Sequence, residues 1–152
     1  MVHLGEPQVR QRIFQRIAAV KPESPPLWGR MTAHQMLCHL ADSFRVTLGL
    51  KYVSPATGIF QRTIMKWLAL HLPAPWPKGI PTRPEVEQGA GGTPPGDFQR
   101  DRADLIALIE RFSEPGSGAS RSPHPMFGSM REREWLRWGY LHTDHHLRQF
   151  GV

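Results

Sequence analysis

Three histidines fall within five positions near the end of the chain: His142, His145 and His146 in YLHTDHHLRQFG, residues 140–151. Imidazole titrates nearest neutrality of all side chains and is the commonest protein ligand of transition metals. At about 100° per residue, Trp135, Trp138, His142, His145, His146 and Gln149 share one helix face, and Asp144 points the opposite way. The histidines therefore continue a stripe that begins with large aromatic residues, which normally face inward. A solvated cluster would instead share its face with arginine and glutamate. His142 and His146 stand four residues, one helical turn, apart, which suits two bonds of about 2.1 Å to a single ion.

A third ligand must come from elsewhere, and His39 in MTAHQMLCHLADSF is the best candidate. On its helix Gln35, Asp42, Ser43 and Val46 fall on the same side, while Leu37, Phe44 and Leu48 fall on the far side. A polar strip on an otherwise apolar helix is expected where a bundle holds a site in its interior. Asp42, one turn from His39, is the candidate catalytic carboxylate, to orient an imidazole or accept a proton. His145 shares the inward face with His142 and is either an alternative ligand or a support for one. His34 lies in a first turn and is expected to be exposed. His3, His71 and His124 sit in ends and loops and are assigned no chemistry. Cys38 points about 100° away from His39 and reads as a small core residue.

Five segments with helical periodicity would have to position these groups. The first spans about Glu6–Val20, with Val9, Ile13, Phe14 and Ile17 inward and Pro7 in a tolerated first-turn position. The second spans about Thr32–Leu50, opened by a capping box of Thr32 and Gln35. The third spans about Ala56–Leu72, with Ile59, Phe60, Ile64, Trp67, Leu68 and Leu72 as its apolar support, and Pro73, Pro75 and Pro77 stop it. The fourth runs from about Phe98 to Phe112 behind an Asp97 cap, with Leu105, Ile106, Leu108, Ile109 and Phe112 inward. The last runs from about Met130 to Phe150, with Ser129 as cap and Glu132 completing a second capping box. Nothing reads as a strand ladder, so the expectation is an all-α bundle in one domain, residues 1–152. Residues 73–97 hold seven prolines and five glycines in 25 positions. That composition excludes helix and central strand, and Trp76, Ile80 and Val86 give this long loop a way to pack over the domain. A second loop, SEPGSGASRSPHP, occupies 113–125.

Cys38 is the single cysteine, so no internal disulfide forms, which fits a reducing cytoplasm. No signal-type run and no stretch of about 20 apolar residues is present, so no membrane span is expected. Nineteen Lys+Arg against thirteen Asp+Glu leave +6, but the cations are mostly scattered arginines without a run, which reads as a basic surface rather than a nucleic-acid site.

W-x-x-MTAHQMLCHLADS from Trp28, together with the closing HTDHHLRQ, resembles the paired signature of the DinB/YfiT-like superfamily. PWPKGIPTRPE and HPMFGSMREREW look more like one bacterial branch of it, a domain of unknown function. The resemblance covers the chain from about Pro7 to the end. It implies an antiparallel four-helix bundle that holds a divalent metal through His39, His142 and His146, with Gln149 three positions after the second histidine of the closing pair. Relatives in that superfamily include metal-dependent S-transferases for low-molecular-weight thiols and a thiol-dependent isomerase. The extra His145 and the long Pro/Gly loop depart from the simplest pattern.

The expected function is thus a metal-dependent enzyme acting on a small molecule, of hydrolase or thiol S-transferase type. Three neutral imidazoles leave a coordination position open, which marks a catalytic rather than a structural site. Zinc and nickel suit such ligands best, and iron or manganese would accept added waters. Bundles of this sort pair through exposed faces, so a homodimer is compatible with the pattern. The rival expectation is a non-catalytic basic binding or interaction protein, for nucleic acid or an acidic ligand, whose histidine cluster is idle.

Overall fold

Caps and prolines place the helix boundaries. Thr32 Oγ1 accepts from Gln35 N at 3.1 Å while Thr32 N donates to Gln35 Oε1 at 2.9 Å, so the first capping box forms as read. Asp97 Oδ1 accepts from Arg100 N at 2.8 Å and opens the fourth long segment. The computed structural model describes residues 1–55, 58, 60–72, 74–116 and 123–152. Within them lie five α-helices: α1 Pro7–Ala19, α2 Ala33–Thr47, α3 Lys66–His71, α4 Phe98–Ser113 and α5 Glu132–Gln149. A π-helical turn, Gln61–Met65, leads into α3, and a 3₁₀ turn, Pro84–Val86, interrupts the irregular segment before α4. Among the described residues there is no strand, only an isolated antiparallel bridge between His124 and Gly128. The chain is helical, and no helix among these residues is long and apolar enough to cross a membrane.

The core is built from one stripe of each long helix. Ile13 and Ile17 of α1, Met36, Leu37, Leu40 and Phe44 of α2, Leu105, Ile109 and Phe112 of α4, and Trp135, Trp138 and Leu147 of α5 are buried together. Each such side chain contributes about 1.5–3 kcal/mol of hydrophobic stabilisation. α2 lies chiefly against α4 and also packs on α5. Phe44 bridges two partners, its ring 5.0 Å from Phe112 and 6.2 Å from Trp138. α1 is tied to α5 by Arg16, which pairs with Asp144 at 2.7 Å and donates to the Val152 carbonyl at 2.9 Å.

Two elements differ from the sequence reading. The third segment is a π turn followed by a short helix in place of one long helix, and much of its apolar set stays exposed: Trp67 is 58% and Ile64 54% exposed, and Leu70 is buried. The π turn shifts the register before α3, so only a narrow edge of the short helix meets α5. The expected start of this segment, at Ala56, Thr57 and Ile59, lies outside the described residues, as do Pro73 and residues 117–122 of the second loop. The last helix begins at Glu132 behind Arg131, not behind Ser129. The His124–Gly128 bridge closes a tight turn just before that point. Glu134 Oε2 then accepts from Arg131 N at 2.8 Å, so one half of a capping box forms, two residues late. In the long loop Val86 is buried and Trp76 packs against the core, its Nε1 donating to Ala69 O at 2.8 Å, whereas Ile80 stays 40% exposed.

Gly139, one turn before the histidines of α5, permits a close approach: a Cβ there would stand 2.8 Å from Phe112 Cε1 and 2.9 Å from Leu4 Cδ1. Alanine would gain about 1 kcal/mol in helix propensity but overpack the core at a cost of about 1–3 kcal/mol. Gly139→Ala is therefore expected to lower the urea midpoint of unfolding. A midpoint at or above that of the unaltered protein would show that Phe112 and Leu4 yield without cost.

Candidate metal centre

The polar strip of α2 and the histidine stripe of α5 face each other across the interior. His39, His142 and His146 offer ligand nitrogens that all lie within 4.8 Å of one another. The ring centroids are 5.4 Å apart for His39–His142, 4.8 Å for His39–His146 and 4.9 Å for His142–His146, all edge-on. His39 and His146 are buried, and His142 is partly so. Thus three imidazoles from positions more than a hundred residues apart converge on one point.

Two of the rings are locked by what their other nitrogen does. His39 Nδ1 donates to the Val86 carbonyl at 3.0 Å, and His146 Nδ1 donates to Gln149 Oε1 at 2.9 Å. In the neutral ring a proton on Nδ1 leaves the Nε2 lone pair free, so both histidines are set to ligate through Nε2. Gln149 is held in turn, its Nε2 donating to Trp28 O at 2.7 Å. Gly29 makes room for it: its φ is +82° and a Cβ there would lie 2.5 Å from Gln149 Nε2. The third ring, His142, stacks on Trp138 at 5.1 Å, and its Nδ1 is buried with no hydrogen-bond partner among the described residues. A cluster of neutral imidazoles with an unpartnered ring nitrogen has the donor chemistry that could hold a divalent cation.

Burial keeps these groups uncharged. His142 falls well below the ordinary histidine range, first through burial and then through the neighbouring His146, His39 and His145. Burial and the nearby His39 lower His146 to about 3 against a smaller opposing effect of Gln149. His39 is also lowered by burial, partly offset by its bond to Val86 and by the charge of Asp42.

Asp42 makes no hydrogen bond to any of the three imidazoles. Its carboxylate is fully buried and accepts from Lys51 Nζ at 2.6 Å, Thr93 N and Thr93 Oγ1 at 2.7 Å each, and Arg45 at 2.9 Å. Burial would raise its pKa, but these donors hold it below the usual carboxylate range. It thereby ties the 85–93 segment, which carries the Val86 carbonyl, to α2. His145 is not in the cluster; its ring stands 5.7 Å from Trp28 and 6.3 Å from Trp76. His34 is not exposed as expected but half-buried, its Nε2 donating to Asp101 Oδ2 at 2.7 Å. Cys38 turns away from the cluster, and burial together with Asp101 pushes its thiol up to about 12.

A cavity of about 550 Å³ opens beside the cluster, with His39, His142 and His146 in its wall. Val46, Val53, Leu72, Trp76, Phe127 and Trp138 make much of the rest apolar. His124, assigned no chemistry from the sequence, lines it too. It is buried, its Nδ1 accepts from Met126 N and Phe127 N at 3.1 Å each, and burial lowers its pKa to about 3. The one signal for it in the sequence was the adjoining Met126–Phe127 pair, which docks that loop on the core. A second cavity, of about 500 Å³ beside Arg10, Glu110 and Glu114, holds none of these histidines.

The model of a family of proteins of unknown function, DUF1569, matches residues 11–151. The chain belongs to the DUF1569 family. No curated protein and no solved structure matches it. Almost the whole span of this DUF1569 chain is covered, from within α1 to the residues after α5, so both helices that carry the clustered histidines lie inside the match.

Because the buried histidines stay neutral when folded, the unfolded chain binds more protons below its histidine pKa of about 6.5. In metal-free protein their contribution to stability is complete above that pH and is lost as pH falls toward about 3, the value for His146 and His124. Urea denaturation between pH 6.5 and 5, above the carboxylate range, should show unfolding free energy falling by up to about 1.4 kcal/mol per pH unit for each such histidine. A flat profile there would mean that the imidazoles are not buried together.

Proposed function

We propose that this chain is a metal-dependent enzyme of the DinB/YfiT-like kind, a four-helix bundle that binds one divalent ion through His39, His142 and His146 and acts on a small molecule. The observation that carries the reading is the convergence of three neutral imidazoles within 4.8 Å, two of them hydrogen-bonded through Nδ1 so that Nε2 is free, in the wall of a large cavity. Structural zinc sites usually close their coordination with a fourth side chain. Here the group has three members among the described residues, and the cavity lies beside it. A held cation, zinc or nickel by affinity for imidazole and otherwise iron or manganese, would supply Lewis acidity toward a water or a low-molecular-weight thiol. That chemistry gives a hydrolase or a thiol S-transferase.

The chain's own residues bind, orient and exclude water. The Val86 carbonyl and Gln149 fix the rings of His39 and His146. Trp76, Phe127 and Trp138 present apolar surface to the cavity, so the substrate has an apolar body, and a dry wall strengthens each polar contact made inside. Asp42 serves as a positioning residue: with both oxygens bonded it holds the loop that orients His39.

Elemental analysis of protein purified without a histidine tag tests the reading, followed by a thiol-plus-electrophile and hydrolysis screen with the metal restored. His39→Ala should remove stoichiometric metal and all turnover; survival of both would leave the histidines idle. Gln149→Ala should keep the fold and weaken metal binding about 10- to 100-fold, as losing a bond to a ligating histidine does. Unchanged affinity in a chelator competition would show that Gln149 does not orient His146.

A further inference from the structure

α2 carries two clusters, one on each side. His39 faces α5, while His34 and Cys38, one turn apart, face Asp101 in the first turn of α4. His34, Cys38 and Asp101 each offer a ligand atom, and these atoms also lie within 4.8 Å of one another. The geometry points to a second divalent-metal site, His34 Nε2, Cys38 Sγ and Asp101, that clamps the start of α2 to the start of α4 and is independent of the three-histidine reading.

The distances suit it. Zinc bonds of about 2.0–2.3 Å at tetrahedral angles put ligand atoms about 3.3–3.6 Å apart. Cys38 Sγ already stands 3.7 Å from Asp101 Oδ2, while His34 Nε2, now donating to that oxygen at 2.7 Å, must open by under about 1 Å. Gly96 N donates to Asp101 Oδ2 at 2.8 Å, the kind of bond that orients a ligating carboxylate. The charges suit it as well. A thiolate and a carboxylate cancel a +2 ion beside a neutral imidazole, unlike three imidazoles, which leave it uncompensated. Binding forms metal–nitrogen, metal–sulfur and metal–oxygen bonds, breaks the S–H bond and releases that proton to solvent, and moves the His34 ring proton from Nε2 to Nδ1 through water so that Nε2 is free to ligate. The His34 and Asp101 side chains are 19% and 27% exposed, so water can fill a fourth position. The ligand set favours zinc over magnesium or calcium, which prefer oxygen. Such a site ties α2 to α4 and lines no part of the main cavity.

Cobalt(II) separates the two sites because only one contains sulfur. Full-length, untagged protein titrated with cobalt(II) under reducing, anaerobic conditions should take up two equivalents. It should also develop a near-ultraviolet thiolate-to-cobalt charge-transfer band. Cys38→Ser should abolish the band and reduce uptake to one equivalent. Asp101→Asn should raise the cobalt needed for half the band at least tenfold. His39→Ala should keep the band while losing the other equivalent, so failure of the three-histidine reading is seen separately. Zinc should raise the melting temperature of His39→Ala but not of His39→Ala/Cys38→Ser. No charge-transfer band at saturating cobalt in folded protein, or a band that survives in Cys38→Ser, overturns the proposal. So does an Asp101→Asn variant with an unchanged cobalt requirement.

Discussion

Packing several imidazoles side by side away from water is the constraint on which the interior depends. Charged, they would repel one another and forfeit hydration, a cost of several kcal/mol for each buried ion. The fold keeps them neutral by depth and places the proton of two of the rings by a hydrogen bond. Val86 does so for His39 and Gln149 for His146. Gln149 in turn leans on Trp28, and the space it needs is kept open by a glycine. A chain of small local requirements therefore ends at the orientation of one ring.

α2 is the element that converts this constraint into architecture. Its apolar residues join the core, Asp42 anchors the 85–93 loop through Thr93 and Lys51, and that loop supplies the carbonyl that orients His39. The opposite side of the same helix meets α4 through His34 and Cys38. A buried carboxylate with four donors is costly to assemble and more costly to break, because losing one partner strands the rest. The long proline- and glycine-rich segment is thus held by specific polar contacts rather than by regular backbone pairing.

Much of the helical pattern was legible from periodicity and punctuation. The Thr32–Gln35 box, the Asp97 cap and the apolar stripes of α1 and α4 report local physics, since each depends on residues three or four apart. The third segment was less legible. Its apolar residues mark a helix, but periodicity carries no information about whether a neighbour exists to cover them, and several stay exposed. The burial of His34 and His124 was not legible for a related reason: their partners, Asp101, Phe127 and Trp138, come from other elements or across a loop. The partners of Asp42 outside its own helix, Lys51 and the two Thr93 donors, likewise leave no trace in helical spacing.

By itself the sequence determined that α5 carries histidines one turn apart on an aromatic face, and that α2 carries a polar strip centred on His39. Both follow from the 3.6-residue period, a property of the backbone alone. Only the tertiary structure decided that the two faces meet, that His145 stands aside among tryptophans, and that the Val86 carbonyl and Gln149 set the tautomers. Those outcomes depend on how helices separated by long loops pack together. That packing is set by the summed burial of many side chains, to which no single spacing in the sequence corresponds.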